Sequence, residues 1–144
     1  TAYEISTRDW SSDVCSSDLA LELAGPNGCR AVLWHQGESD SIAGTPAATY
    51  AQMLKQIIEQ SRVDAGWQVP WGVALVSFHP APQATADRQQ AIIAGQQLVI
   101  KECRDVFQGP TTDGFSTKGF LNDAVHFNAA GLAAHAKGWF DALP

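Results

Sequence analysis

Short apolar runs alternate with helical hydrophobic patterns along the chain, and this alternation most constrains its fold. Residues 30–34 and 71–77 have the length and composition of buried strands, and residues 106–107 form a weaker third candidate. Helical patterns occupy residues 45–64 and 87–102, between these runs. Strands that alternate with helices predict a parallel sheet with helices on both faces, an α/β fold.

Each of the longer predicted helices has one apolar side. The helix of residues 45–64 has Thr45 as its N-cap and Pro46 at its first helical position. Its apolar residues recur at spacings of three and four: Tyr50, Met53, Leu54, Ile57 and Ile58. Asn128 caps a last helix, whose apolar residues share the face expected to pack on the core: Leu132, Ala133, Ala136, Phe140 and Leu143. A helix tail over residues 20–24 is expected to end at the Gly-Pro-Asn-Gly stretch of residues 25–28.

Two predicted loops are dense in polar side chains. The first, His35-Gln-Gly-Glu-Ser-Asp40, directly follows a strand and belongs to a polar loop expected over residues 35–45. The second, Asp123-Ala-Val-His-Phe-Asn128, precedes the last helix. Because ligand sites of open α/β sheets form at the carboxyl ends of strands, the loops that begin at His35, Phe78 and Gln108 are the places to search.

The side chains of these loops include most of the groups that acyl transfer by a serine requires. Such a reaction needs a base, a carboxylate that orients the base, and donors for the developing oxyanion. His126 supplies an imidazole, and Asp123 can hold its other nitrogen. Gln36 carries a neutral amide donor, and Gly37 lets the chain turn tightly beside a ligand.

The same loops resemble two blocks of a known superfamily. Trp34-His-Gln-Gly-Glu-Ser-Asp40 resembles the block typical of the sialate O-acetylesterase and family-6 carbohydrate esterase branch of the SGNH hydrolases, and Asp123-Ala-Val-His126-Phe is similar to the Asp-x-x-His block that closes the superfamily. The resemblance covers nearly all of residues 20–144. It implies a three-layer α/β/α, flavodoxin-like fold and an enzyme that removes acetyl groups from a carbohydrate, with no metal or organic cofactor.

The resemblance also implies roles for individual residues. His126 would be the general base and Asp123 its orienting partner. Gln36, followed by Gly37, would take the oxyanion position that an asparagine holds in the wider superfamily. Glu38 is either an alternative acid partner of the histidine or a structural anchor, and Asp123 is the favoured partner.

The other histidines and several tryptophans allow less specific interpretations. His35 is a candidate substrate-binding residue, with a structural role in its loop as the alternative. His79 is either a substrate contact or a plain loop residue, and His135 is expected at the surface or in packing. Trp67, Trp71 and Trp139 are expected to be packing residues rather than sugar platforms.

The family's nucleophile is expected in a Gly-x-Ser block after an N-terminal first strand, and no strand followed by such a block precedes residues 30–34 in this sequence. Ser39 follows the motif glutamate and does not lie in a nucleophile turn. We therefore expect residues 20–144 to be the C-terminal part of the domain, with the first strands and the serine missing, the sheet incomplete and this chain inactive. In the strand order typical of the class, residues 30–34 would then form an exposed apolar edge that promotes aggregation.

Residues 1–19 are interpreted as non-native. Residues 8–19 resemble a translated sequencing-library adapter, because ten consecutive adapter codons encode the sequence of residues 9–18 and Leu19 fits the bases that follow. Such a segment is excluded from fold reasoning. Its serines are accordingly expected to have no catalytic role: Ser6, Ser11, Ser12, Ser16 and Ser17.

Composition argues against some classes of binding partner, and two alternatives to the esterase interpretation remain. The net charge of −6 without a basic cluster argues against nucleic acid, and no apolar run approaches the length of a membrane span. The three cysteines, Cys15, Cys29 and Cys103, fit neither a disulfide framework nor a zinc site. One alternative is a non-catalytic carbohydrate-binding relative of the same fold. The other is a metal-dependent hydrolase with four ligands: His35, Glu38, Asp123 and His126.

Overall fold

The computed structural model describes residues 23–144, which form a three-stranded parallel sheet with helices on both faces. Strands β1 (Val32–Trp34), β2 (Trp71–Leu75) and β3 (Val106–Thr111) lie in that order across the sheet. Their first residues are in register, Val32 with Trp71 and Trp71 with Val106. The predicted α/β class with a parallel sheet is confirmed.

Four helices with defined bounds connect and flank these strands. They are α1 (Glu38–Ala43), α2 (Ala47–Ala65), α3 (Ala86–Glu102) and α4 (Ala129–Ala142). A 3₁₀ helix, Asp113–Lys118, follows β3, and residues 23–28 are also helical. None of the helices within residues 23–144 has the length and apolarity that crossing a membrane requires.

Helices α2 and α3 cover one face of the sheet and enclose the larger core. The predicted apolar face of α2 is confirmed, because Tyr50, Leu54 and Ile58 are almost completely buried in this core. The strands and α3 contribute the other fully enclosed side chains, which include Trp71, Val73, Ile92 and Val99. Packing against α2 and α3 therefore fixes the position of the sheet on this face.

Helix α4 covers the opposite face through Trp139. A Cβ atom at Gly72 or Gly109 would lie 2.7 or 2.3 Å from the Trp139 ring, so these glycines make room for the indole on the sheet. Ala74, Val76 and Phe107 complete this smaller core. The prediction that Trp71 and Trp139 are packing residues agrees with their burial.

The face by which α4 packs differs from the predicted one. Leu132 and Phe140 were expected to face the core, but they are 57% and 78% exposed. The helix instead approaches through its glycines, since a Cβ atom at Gly131 would lie 2.1 Å from the Phe120 carbonyl oxygen and one at Gly138 would lie 2.7 Å from Pro110. Close backbone approach, which only glycine permits, decided the orientation of this helix.

Several predicted boundaries also require correction. Residues 38–43 of the expected polar loop form α1, and α2 begins at Ala47 after Pro46 rather than after a Thr45 cap. The Thr45 hydroxyl donates instead to the Asp40 carboxylate at 2.7 Å, so it is not available to the helix end. The helical residues 23–28 include the stretch expected to stop a helix, and β3 continues to Thr111.

Strand β1 lies at an edge of the sheet in the described part of the chain. Its Leu33 side chain is 44% exposed. The predicted adapter-derived segment, residues 1–19, lies outside the described residues. The boundary near Ala20 therefore stays a prediction.

Candidate active site

The carboxyl ends of the three strands are tied together into one rim. The Asp113 carboxylate, just beyond β3, accepts hydrogen bonds from the backbone amides of Ser77 and Phe78 at 2.7 and 2.8 Å. It also accepts one from the Ser77 hydroxyl at 2.6 Å. On the other side, His35 Nε2 lies 3.0 Å from the Thr112 hydroxyl. The loops after β1, β2 and β3 therefore have fixed positions relative to one another.

His126 and Asp123 form a hydrogen-bonded pair on an exposed loop at this rim. The Asp123 Oδ2 atom lies 2.8 Å from His126 Nδ1, and both side chains are more than half exposed, at 58% and 78%. Asp123 Oδ1 accepts from the backbone amides of Val125 and His126 at 3.2 and 2.8 Å. The backbone amide and imidazole of His126, followed by the Val125 amide, lower the pKa of Asp123 to about 2.

The turn that brings these two side chains together is locally strained and anchored on both sides. Ala124 has a φ of 68°, a left-handed conformation that costs a non-glycine residue about 1–2 kcal/mol. Leu121 and Phe127 form an antiparallel bridge, and the Asn122 amide donates to the His126 carbonyl at 2.8 Å. These bonds hold the turn closed and keep Asp123 beside the imidazole.

Phe127 connects this loop to the loop after β1. Its ring centroid lies 5.7 Å from that of His35, 5.0 Å from that of His135 and 5.4 Å from that of Phe115. His35 immediately precedes Gln36, and Phe127 immediately follows His126. The two polar loops therefore meet at the same edge of the sheet.

The Gln36 side chain is oriented by α2 and by its own loop. Its Nε2 atom donates to Asp40 Oδ2 at 2.5 Å. The single hydrogen of the Tyr50 hydroxyl is shared between the Gln36 carbonyl oxygen, at 2.7 Å, and Gln36 Oε1, at 3.1 Å. The same hydroxyl accepts from Trp34 Nε1 at 3.2 Å. Burial raises the pKa of Tyr50 to about 12, so this hydroxyl remains a donor. One Nε2 hydrogen of Gln36 is used by Asp40, and the other has no hydrogen-bond partner among the described residues.

Gly37 is confined between β2 and α3. A Cβ atom there would lie 2.2 Å from the Val76 carbonyl oxygen and 2.8 Å from Gln96 Nε2. The sequence suggested glycine for a tight turn beside a ligand, and the structure adds a packing reason for it. Any larger residue would displace the loop that carries Gln36.

Glu38 contacts His35 and its own backbone rather than His126. Its Oε2 atom accepts from the Gly37 amide at 3.0 Å, and its Oε1 atom lies 3.9 Å from His35 Nδ1. Thr112, His35 and Glu38 thus line up as hydroxyl, imidazole and carboxylate, the order of a catalytic triad. However, Thr112 is only 4% exposed, so its hydroxyl is closed to a substrate. Burial lowers the pKa of His35, which keeps its ring neutral near neutral pH.

A comparison with protein families shows which family the chain belongs to. The model of a carbohydrate esterase family, the sialic acid-specific acetylesterases, matches residues 13–142, a span that includes both polar loops. The chain belongs to this carbohydrate esterase family. Among curated proteins and solved structures, none matches the chain.

In this acetylesterase-family chain, the matched span starts within residues 1–19 and reaches almost to the C-terminus. It includes His126 and Asp123 on one loop and Gln36, Gly37 and Glu38 on the other. The α/β sheet and the two loops at its carboxyl edge agree with the fold that the motifs implied.

Three of the five serines in residues 23–144 of this esterase-family chain occupy buried structural positions, whereas Ser39 is exposed and Ser116 is half-buried. Ser41 and Ser77 are completely buried, and Ser61 is 8% exposed. Ser41 donates to the Glu38 carbonyl at 2.7 Å, while the Ser77 hydroxyl is directed at Asp113. Over residues 23–144, no serine hydroxyl is hydrogen-bonded to an imidazole.

The histidines and carboxylates of the candidate site form separate pairs rather than one cluster. Asp123 pairs with His126, whereas Glu38 lies nearest His35. In the part of the chain that the structure describes, no three His, Cys, Asp or Glu side chains are grouped as metal ligands would be. The four residues of the metal-dependent alternative are therefore not brought together.

Two further histidines of this family member have packing or loop partners. His135 Nε2 accepts from Trp139 Nε1 at 2.9 Å, and its ring lies 4.7 Å from that of His35. Burial, and then the charge of His35, lower the pKa of His135. His79 Nδ1 accepts from the Ala81 amide at 3.1 Å, within its own loop.

Sequence reasoning did not identify Gln96 as part of the site's framework. This residue of α3 is completely buried, and its side chain bonds to the ends of β1 and β2. The available signal was its spacing, because Ile92, Gln96 and Val99 share one helical stripe. A polar residue on an apolar stripe needs a buried hydrogen-bonding partner.

Proposed function

We propose that the chain carries the histidine–aspartate part of the catalytic machinery of an esterase that removes acetyl groups from a carbohydrate. The main support is the 2.8 Å contact between His126 Nδ1 and Asp123 Oδ2 on an exposed rim of the sheet. With Nδ1 held by the carboxylate, the neutral ring presents Nε2 as a base. Membership of the carbohydrate esterase family supports the reaction class.

His126 would act as both general base and general acid. As a serine oxygen attacks the acetyl carbonyl carbon, its proton passes to His126 Nε2. The tetrahedral intermediate then collapses, the bond between the acetyl carbon and the sugar oxygen breaks, and Nε2 returns the proton to that oxygen. Water then attacks the acetyl-enzyme while the same nitrogen takes its proton; the bond to the serine oxygen breaks, that oxygen receives the proton from Nε2, and acetate leaves. Asp123 would stabilise the imidazolium in both halves of the reaction.

Gln36 is the proposed side-chain donor to the oxyanion. Tyr50 and Asp40 fix the carbonyl and amide ends of its side chain, which leaves one Nε2 hydrogen for a ligand. A donor held in place before the reaction stabilises developing charge without reorganisation, and one such donor is worth about 10²–10³ in kcat. Gly37 would keep the backbone of this donor against β2.

The nucleophile is proposed to be a serine outside residues 20–144. Buried positions and existing hydrogen bonds of Ser41 and Ser77 support this placement, because nucleophilic attack needs an accessible hydroxyl next to a base. The 144-residue chain is then expected to hydrolyse no aryl acetate by itself. Glu38 is proposed as an anchor of its loop, since its carboxylate contacts the Gly37 amide and lies near His35.

The proposal is tested with 4-nitrophenyl acetate and O-acetylated sugars. The 144-residue chain should show no turnover above its His126→Ala variant, whereas a longer form that includes an upstream Gly-x-Ser block should release acetate. Turnover by the 144-residue chain that His126→Ala abolishes would overturn the placement of the serine. Sugar binding by the longer form without any acetate release would instead favour the non-catalytic, carbohydrate-binding relative.

A further inference from the structure

Gln96 bridges the ends of two neighbouring strands from beneath the candidate site. Its Nε2 atom donates to the carbonyl oxygens of Val76, at 2.7 Å, and Gln36, at 3.1 Å. Its Oε1 atom accepts from the Val76 amide at 3.1 Å. Both hydrogens of the amide are used, and the side chain is completely buried.

One of these bonds holds the backbone of Gln36, the residue proposed to stabilise the oxyanion, and the other two hold the backbone of Val76 on the next strand. The Gln36 carbonyl is held by Gln96 from α3 and by the Tyr50 hydroxyl from α2, so the residue is fixed from two helices. The next residue, Gly37, packs directly against the Gln96 amide. In a site excluded from water these bonds have no solvent substitute, and a lost partner leaves backbone polar groups unpaired.

We infer that Gln96 is a positioning residue of the esterase, which sets the location of the Gln36 amide by clamping the ends of β1 and β2. The inference rests on the proposed role of Gln36. Gln96 acts through the backbone and does not touch the substrate. A displacement of about 1 Å in a catalytic group can cost about 10²-fold in rate, so the expected effect lies in kcat rather than in KM.

Gln96→Glu is the informative variant, because its bonding depends on protonation. A protonated carboxyl group can accept from the Val76 amide and donate to one of the two carbonyl oxygens. An ionised carboxylate cannot donate, and it would face both carbonyl oxygens in a buried site. Burial raises the pKa of a carboxyl group, so the neutral form persists at the acidic end of the assay range.

The experiment measures kcat and KM for acetate release from pH 5 to pH 9 in a form of the protein that carries the serine. For Gln96→Glu, we expect the ratio of wild-type to variant kcat to rise about tenfold or more across this range, with KM changed less than about threefold. Gln97→Glu, the same substitution at the exposed neighbouring position, should keep the wild-type profile. Val99→Ala should lower stability through the same core and leave kcat unchanged.

A second variant and one control keep the test decisive. Gln96→Asn keeps an uncharged amide but is one methylene shorter, so it should lower kcat about tenfold at every pH while remaining folded. A folded Gln96→Asn with wild-type kcat, or a Gln96→Glu ratio that is constant with pH, would overturn the inference. His126→Ala distinguishes the proposed function from the positioning role of Gln96. If His126→Ala leaves activity intact, the proposed function is wrong. If His126→Ala abolishes activity but the Gln96 variants do not behave as expected, only the positioning role is wrong.

Discussion

The Nδ1 atom of His126 lies 2.8 Å from Oδ2 of Asp123, within a turn of four residues. The backbone amide of His126 donates to the other oxygen of the same carboxylate. The aspartate is therefore fixed by the residue that it orients, and the strained Ala124 between them is the local cost of this geometry.

Asp123→Asn should lower kcat about 10²-fold or more. The new amide would direct its NH₂ group at Nδ1, which would force the proton onto Nε2 and leave the imidazole in the wrong tautomer to act as a base. Glu38→Gln is the matched control among the loop carboxylates, and its decrease should stay below about tenfold because Glu38 contacts His35. Steady-state kinetics of both variants decide between the two carboxylates. A larger loss in Glu38→Gln would reverse their roles.

The low pKa of Asp123 should make the domain less stable in strong acid. The pKa of Asp123 is lowered from 3.8 to about 2, so its contribution to folding is complete above about pH 3.8 and is lost as the pH falls towards 2. Denaturant unfolding between pH 2 and pH 5 measures this loss, and Asp123→Asn should reduce it. An Asp123→Asn variant with the wild-type pH dependence would contradict the lowered pKa of this carboxyl group.

The partly buried His35 and His135 should make the domain less stable in mild acid. Burial lowers the folded-state pKa values of both His35 and His135, and the Glu38 and Asp113 charges oppose this shift only in part at His35. Since the unfolded rings take up protons first, stability should be fully present above about pH 6.5 and fall as the pH decreases below it.

Denaturant unfolding as a function of pH tests this expectation. The slope from the histidine pair cannot exceed about 1.4 kcal/mol per pH unit for each proton. His135→Gln keeps an acceptor for Trp139 Nε1 and should flatten the dependence between pH 5 and 6.5. An unchanged slope in that variant would show that His135 does not contribute to the acid sensitivity.

Asn128 should couple helix capping to catalysis. Its Oδ1 atom accepts from the Gly131 amide at 2.9 Å, and its Nδ2 atom donates to the Gly119 carbonyl at 2.8 Å. Asn128→Ala should cost about 1–2 kcal/mol of stability through loss of the cap. Because the second bond anchors the loop that carries His126, kcat should also fall at a temperature where the variant is folded. Asn128→Asp, which keeps the cap acceptor, should recover stability but not kcat; full recovery of both would contradict a role for the Gly119 bond.

The elements with regular hydrophobic spacing could be predicted from the sequence. The apolar residues of α2 recur at helical spacing, and those of β2 form a continuous run. Both patterns indicate burial, so these two elements could be predicted from residue order alone. Helix α1 could not be predicted in this way, because Glu38-Ser-Asp40 reads as a polar loop and only contacts with α3 reveal its shape. The orientation of α4 depended on close approach to Phe120 and Pro110, which no helical periodicity contains.

In the candidate site as well, local contacts could be predicted from the sequence and long-range contacts could not. His126 and Asp123 could be paired from their spacing, since side chains three positions apart can meet across a turn. Gln96 lies far from both loops in the sequence, within a stretch that also contains Gln89, Gln90 and Gln97. Gln96 is buried because α3 packs under the strand ends. This is a tertiary contact, and the sequence around Gln96 does not distinguish it from the neighbouring glutamines.

The most direct measurement is kcat for 4-nitrophenyl acetate in a serine-bearing form of the protein, compared with its His126→Ala variant. Loss of the base should lower kcat by about 10³-fold or more while circular dichroism stays unchanged, because the exposed imidazole contributes little to the core. A decrease of less than tenfold would remove His126 from the reaction and contradict the account.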